Sequence, residues 1–274
     1  MMMKGEIYLT KNKHLMHIFC LAFLVLCLFI SPLKASETEA VKTNAQKEDS
    51  ALSHLSDAIK KQKEKLTPKP PEPYEVTFTE YGPAIEKALA KAGIKKTYVE
   101  TVKYKYPDSA LNQLKNMTDE QKLDMAAGIL YIKKCSYGRV SQADILRESA
   151  AIVYYASRYK IPRAEAFAMA DLESHCTPHC VGRRGPVGPY QVHWPSHSKK
   201  LIRKKIVDNR NDMFDADKGV HAGLYVFANY INYSGSIQKS LRHYLGRSSK
   251  RYTKMFYKRV NNFKNVRSKL KKSL

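Results

Sequence analysis

Acidic residues are scarce in this chain. Its 274 residues hold 25 Asp and Glu against 48 Lys and Arg, a formal net charge of +23. Such a chain concentrates near anionic polymers, whether nucleic acid, anionic lipid or an acidic wall, and charge alone does not choose among them. Strand-type alternation is equally sparse, confined to "YEVTFTEY" (74–81) and "YVETVKY" (98–104). No internal repeat recurs, which removes solenoid arrays. No apolar run reaches the about 20 residues that a spanning helix needs. What remains is ordinary: hydrophobic residues make up 43%, which excludes wholesale disorder. The expectation is a mostly α fold.

The longest apolar run, "LMHIFCLAFLVLCLFI" (15–30), follows Lys11, Lys13 and His14 and precedes Ala35. A basic stretch, a short apolar core and a small residue at a cleavage point read as a signal peptide over 1–35. The protein is therefore expected to be exported to a periplasm or cell envelope. It would stay membrane-anchored if the signal is kept, since Leu33 is a poor residue at the −3 position. Export argues against nucleic acid as a partner. It also changes the meaning of the five cysteines. Cys20 and Cys27 leave with the signal, so Cys135, Cys176 and Cys180 remain in a compartment that favours disulfides. Three is odd, so one thiol is left over or pairs with another chain.

Residues 36–74 are polar and end in "TPKPPEP", a polyproline linker. Within them 51–66 places Leu52, Leu55 and Ile59 at helical spacing on a thin apolar face. Residues 75–140 read as a helical extension, in which Thr118 and Gln121 form a capping box before 119–135. A second capped helix starts after Ser141, and another after Pro162. Residues 141–262 form the main domain, and 263–274 a basic tail. From residue 199 onward there are 20 Lys and Arg against four Asp and Glu.

The chemistry gathers in "AMADLESHCTPHCVGRRGPVGPYQVHW" (168–194). A helix ends in Glu173-Ser174, and Gly188-Pro189-Tyr190-Gln191 follows a glycine-punctuated loop. Asp215 and Gly223 stand eight apart on a later helix, and Tyr244-Leu245 closes the series. In order and spacing this resembles the lysozyme-like catalytic domain of soluble lytic transglycosylases over roughly residues 145–260. That family carries Glu-Ser, then Gly-Leu-Met-Gln, then an Asn-Ile…Gly helix, then Tyr-Asn. Here Gly219-Val220 replaces Asn-Ile, and Leu245 replaces the last Asn.

The resemblance implies cleavage of the MurNAc–GlcNAc β-1,4 bond of peptidoglycan with 1,6-anhydromuramic ends. Glu173 would act first as acid and then as base, with no cofactor. A glycosidic leaving group needs a carboxylic acid near neutral pH, and an apolar pocket raises a Glu toward that range. Asp171 lies on another face of the helix, and Asp208, Asp212, Asp215 and Asp217 are the other carboxylates to place. Ser174, Gln191 and Tyr244 would contact sugar or orient Glu173, and Tyr190 would stack on a sugar face. Two readings stand beside this one: a hydrolytic lysozyme-type muramidase, and a non-catalytic wall-binding accessory protein of a secretion apparatus.

"HCTPHC" (175–180) offers zinc-type ligands, but structural zinc draws on two separated pairs, so no metal is expected. A Cys176–Cys180 bridge tightening the loop after Glu173 is preferred, with pairing to Cys135 left open. The basic C-terminal part is expected to adhere to peptidoglycan carboxylates or an anionic membrane surface.

Overall fold

Helix caps and glycine stops set the order of elements. The computed structural model describes residues 81–274, which fall within a unit running Glu75–Leu274. The expected signal peptide, the linker, the 51–66 stretch and all but the last residue of the 74–81 alternation lie outside the described residues. Helix α1 (Gly82–Ala92) carries a proline in its first turn and stops at Gly93, whose φ is 68°. Helix α2 (Lys96–Lys105) corrects the strand reading of 98–104. Val99 and Val102 are three apart and buried on one side, while Tyr104 is exposed. That spacing suits a 3.6-residue turn better than a two-residue pleat.

A short 3-10 turn (Ala110–Asn116) leads to α3 (Asp119–Cys135), which opens on the Thr118–Gln121 capping box. Then come α4 (Gln142–Arg158), capped by Ser141, and α5 (Arg163–Ser174), entered from Pro162. A two-stranded antiparallel ribbon pairs β1 (Pro186–Val187) with β2 (Val192–His193). After α6 (Trp194–Arg203) and a 3-10 turn (Arg210–Phe214), α7 (Ala216–Ser234) is capped by Asp215. Helices α8 (Ile237–Leu245) and α9 (Lys250–Lys271) complete the chain, capped by Ser236 and Ser249.

One apolar core runs from Tyr81 to Leu270, so the extension before residue 141 shares its interior with the rest. Helix α1 packs on α3, α3 on α4 and α9, α4 on α7, and α9 along α5. A Cβ at Gly128 of α3 would stand 2.4 Å from the Phe167 ring, so glycine lets α3 and α5 come close. Phe167 in turn stacks on Phe263 of α9 at 4.5 Å. Two buried ionic knots tie the helices. Asp124 of α3 receives Arg163 of α5 and Arg267 of α9. Arg147 of α4 reaches Asp215 at 2.5 Å and Asp217 at 2.9 Å, and Asp217 also accepts from Ser109 and the Ala110 amide. Residues 263–274, expected as a tail, continue α9 to Lys271 and bury Phe263 and Leu270.

Candidate active site

Glu173 sits in the last turn of α5. The helix stops because His175 and Cys176 both adopt left-handed backbone, with φ of 55° and 54°. Their amides return to the carbonyls of Asp171 and Ala170, which satisfies the helix end. Ser174 then binds the helix end to the next loop. Its hydroxyl donates to the Pro189 carbonyl at 2.6 Å and accepts from the Thr177 amide at 3.0 Å.

That loop is held from below by missing side chains. A Cβ at Gly188 would stand 2.4 Å from the Met213 carbonyl oxygen. At Gly223 of α7 it would enter the Tyr190 ring at 2.3 Å. Gly219 is just as constrained, since a Cβ there would meet the same Met213 oxygen at 2.5 Å and Pro189 at 3.0 Å. Gly219, which stands where the family carries Asn, thus lies too close to the Met213 carbonyl for a side chain.

The structure distributes the expected site residues unevenly. Gln191 is half-buried in left-handed backbone, and its amide nitrogen donates to the carbonyls of Cys180 and Gly188 at 3.1 and 3.0 Å. Tyr244 of α8 donates to the Tyr190 carbonyl at 2.6 Å, and burial together with the Glu173 charge raises its hydroxyl pKa. Tyr190 itself is corrected. It is fully buried, and its hydroxyl donates to the Ala166 carbonyl at 2.9 Å. A ring enclosed by Gly223 and the core has no face left for a sugar, so its stacking role is withdrawn. Leu245 is half-buried at the end of α8.

Two residues join Glu173 that the sequence did not single out for the site. The Tyr252 hydroxyl of α9 donates to Glu173 Oε1 and also lies 3.7 Å from Met169 Sδ. Arg259, seven residues along the same helix, adds a favourable charge. Burial is the larger effect and pushes the Glu173 carboxyl up to about 7, against the Tyr252 hydrogen bond and the Arg259 charge. The seven-residue spacing puts Tyr252 and Arg259 on one face of α9. Only the packing of α9 on α5, 79 positions away, turns that face to Glu173.

The remaining carboxylates have other duties. Asp171 accepts from Tyr131 at 2.6 Å and lies 3.0 Å from His175 Nδ1 and 3.3 Å from Arg259 Nε. Asp215 and Asp217 belong to the Arg147 knot. Asp212 closes a capping box with Asn209, and Lys218 pairs with Asp212 and Asp208. Glu148 of α4 is completely buried without a hydrogen-bond partner among the described residues, and burial drives its carboxyl well above the usual range. Among the described residues, no group of three or more His, Cys, Asp or Glu could hold a metal ion. Two recesses stand out on the described surface. One of about 520 Å³ is lined by Gln121, Lys160 and Arg163, and one of about 100 Å³ by His197, Tyr225 and Tyr230; Glu173 lines neither.

Comparison with known proteins agrees with this arrangement. Residues 150–265 match the family model described as the transglycosylase SLT domain. No curated protein and no solved structure gave a match. The matched segment contains the end of α4, α5 with Glu173, the glycine-held loop, and α7 to α9 as far as Asn265, with both Tyr252 and Arg259. Residues 150–265 are thus similar to the transglycosylase SLT domain, and the mostly helical fold of the described residues is consistent with that lysozyme-like family.

Proposed function

We propose that this protein is a peptidoglycan lytic transglycosylase that cleaves the MurNAc–GlcNAc β-1,4 bond, with Glu173 as its acid and base. The observation that carries this reading is a half-buried glutamate at a helix end, raised to about 7 by burial and held by a tyrosine hydroxyl. A carboxyl with that pKa is substantially protonated near neutral pH, as a general acid must be. Tyr252 donates to Oε1, so Oε1 is the accepting oxygen and the acid proton belongs on Oε2.

The steps balance without water. The glycosidic C1–O4 bond breaks as O4 takes the Glu173 proton. The muramic 6-hydroxyl oxygen then bonds to C1 and returns its proton to Glu173. Arg259 and Tyr252 both favour the carboxylate, so they stabilise Glu173 in the interval when it is ionised. The separate structural duties of Asp171, Asp212, Asp215 and Asp217 support a single-glutamate scheme, and no cofactor enters it. The buried Ser174–Pro189 contact and the half-buried Tyr244–Tyr190 contact support positioning roles for Ser174 and Tyr244, and Gln191 sits in the same loop.

The working location is outside the cytoplasm, at the periplasm or envelope. Basic residues reinforce attachment to the wall or to an anionic membrane surface. Helix α9 contains no acidic residue, and Lys254, Lys258, Lys264, Lys269 and Lys272 are exposed in or just beyond it.

The test is mass spectrometry of fragments released from peptidoglycan sacculi by the purified protein and by Glu173→Gln. Anhydromuramic ends that disappear in the variant are expected. Reducing ends would make the protein a hydrolytic muramidase. Binding without release by either protein would make it a wall-binding accessory, as in a secretion apparatus.

A further inference from the structure

Cys135 ends α3, and Cys176 lies two residues beyond α5. Their sulfurs are 3.6 Å apart, although 41 positions separate them in the chain. Cys176 is completely buried, whereas Cys135 and Cys180 are partly exposed. We propose that Cys135 and Cys176 form a disulfide in the working protein and that Cys180 remains its free thiol.

Several observations converge on this pairing rather than on Cys176–Cys180. The left-handed backbone at Cys176 sends its side chain into the core against Cys135. Cys180, four residues on, makes no sulfur contact among the described residues, and its carbonyl is taken by the Gly188 amide and the Gln191 side chain. A bonded pair is about 2.05 Å apart, so closure needs a movement of roughly 1.5 Å, within reach of a side-chain rotation. Burial raises the Cys176 thiol strongly, and Cys135, Glu148 and Asp171 around it act in the same direction, so Cys176 ionises reluctantly and the first attack falls to the more exposed Cys135.

The chemistry needs an external disulfide, for which glutathione disulfide is the probe. The more accessible Cys135 thiolate attacks one of its sulfurs, forms a mixed disulfide and expels one glutathione thiolate. The Cys176 sulfur then attacks the Cys135 sulfur and expels the second. Two protein thiols are oxidised, one disulfide is reduced to two thiols, and the two protons pass to the departing thiolates. The bond would tie the end of α3 to the turn that follows Glu173. It does not depend on the glycan-cleaving reading.

The experiment folds the full chain in a glutathione redox buffer, alkylates it under denaturing conditions and maps the peptides. A linked peptide pair containing Cys135 and Cys176, lost on reduction, is expected, with Cys180 alkylated. The oxidised form should melt on the order of 10 °C above the reduced form. Cys180→Ser should keep both the linked pair and the melting difference, and Cys135→Ser should lose both. A Cys176–Cys180 or Cys135–Cys180 peptide, or alkylation of Cys135, Cys176 and Cys180 together after oxidation, overturns the proposal.

Discussion

Glu173 and Asp171 stand two residues apart on α5 and occupy opposed settings. Asp171 accepts from Tyr131, lies beside His175 and forms an ion pair with Arg259. Glu173 has one tyrosine hydroxyl and a burial cost that outweighs it. The proposed acid form of Glu173 is therefore lost as pH rises through about 7, and kcat/KM should fall on that alkaline limb. Tyr252→Phe removes a donor that favours the carboxylate, so the limb should move to higher pH while the rate falls by about tenfold or more. A pH–rate profile of both proteins checks this. The linkage has a second readout. The unfolded glutamate ionises near 4.5 and the folded one near 7, so ionisation destabilises the fold increasingly between those values. Glu173→Gln should thus be no more stable than the parent at pH 4 and more stable by about 3 kcal/mol above pH 7. Equilibrium denaturation at the two pH values measures it. The place of Glu173 at a helix end was legible from its ordered neighbours. Tyr252 and Arg259 were not, because their role comes from a contact between helices distant in sequence.

Helix packing decides what the residue types around the site can do. An aromatic after Gly188 suggests a cleft wall, yet Tyr190 is interior because Gly223 of α7 leaves a hollow that its ring fills. Residue type was visible in the sequence; the partner that buries it was not. The same hollow makes Gly223 sensitive. Gly223→Ala would bring a methyl group to 2.3 Å of the Tyr190 ring, inside any tolerated contact. The ring cannot withdraw without breaking its bonds to Ala166 and, through its own carbonyl, to Tyr244. A loss of about 2–4 kcal/mol is expected, as for other overpacked cores, and denaturant titration would measure it. Tyr244→Phe is milder, removing one hydrogen bond and costing about 1 kcal/mol. Helix α2 shows the converse case. Its alternating residues match a strand over a short window, and the three-residue spacing of Val99 and Val102 settles the element only once both are seen to share a buried side.

Cap residues and apolar spacing made the helices themselves legible, whereas the limits of the cooperative unit were hidden. The family segment begins at residue 150, and the sequence suggests a domain opening at 141. The core ignores both limits. Helix α3 supplies Gly128 against Phe167, Tyr131 to Asp171 and Asp124 to two arginines, so it forms one wall of the helix that carries Glu173. Without it, Asp124 no longer joins α5 to α9, and Asp171 loses its tyrosine donor. Helix α9 is equally integral at its far end, where Phe263 covers Phe167 and Arg267 pairs with Asp124 and Glu120. A fragment of 141–274 should therefore be poorly folded and inactive, and so should 75–262, which keeps α3 but loses Phe263 and Leu270. Each fully buried side chain of that kind contributes about 1.5–3 kcal/mol, and domains of this size are stable by only about 5–15 kcal/mol. Circular dichroism melts and limited proteolysis of 75–274 beside the two fragments make the comparison. A cooperative melt and protease resistance are expected for 75–274 alone. If 141–274 melts cooperatively and releases muropeptides, residues 81–140 are an appendage to the catalytic unit rather than part of its core.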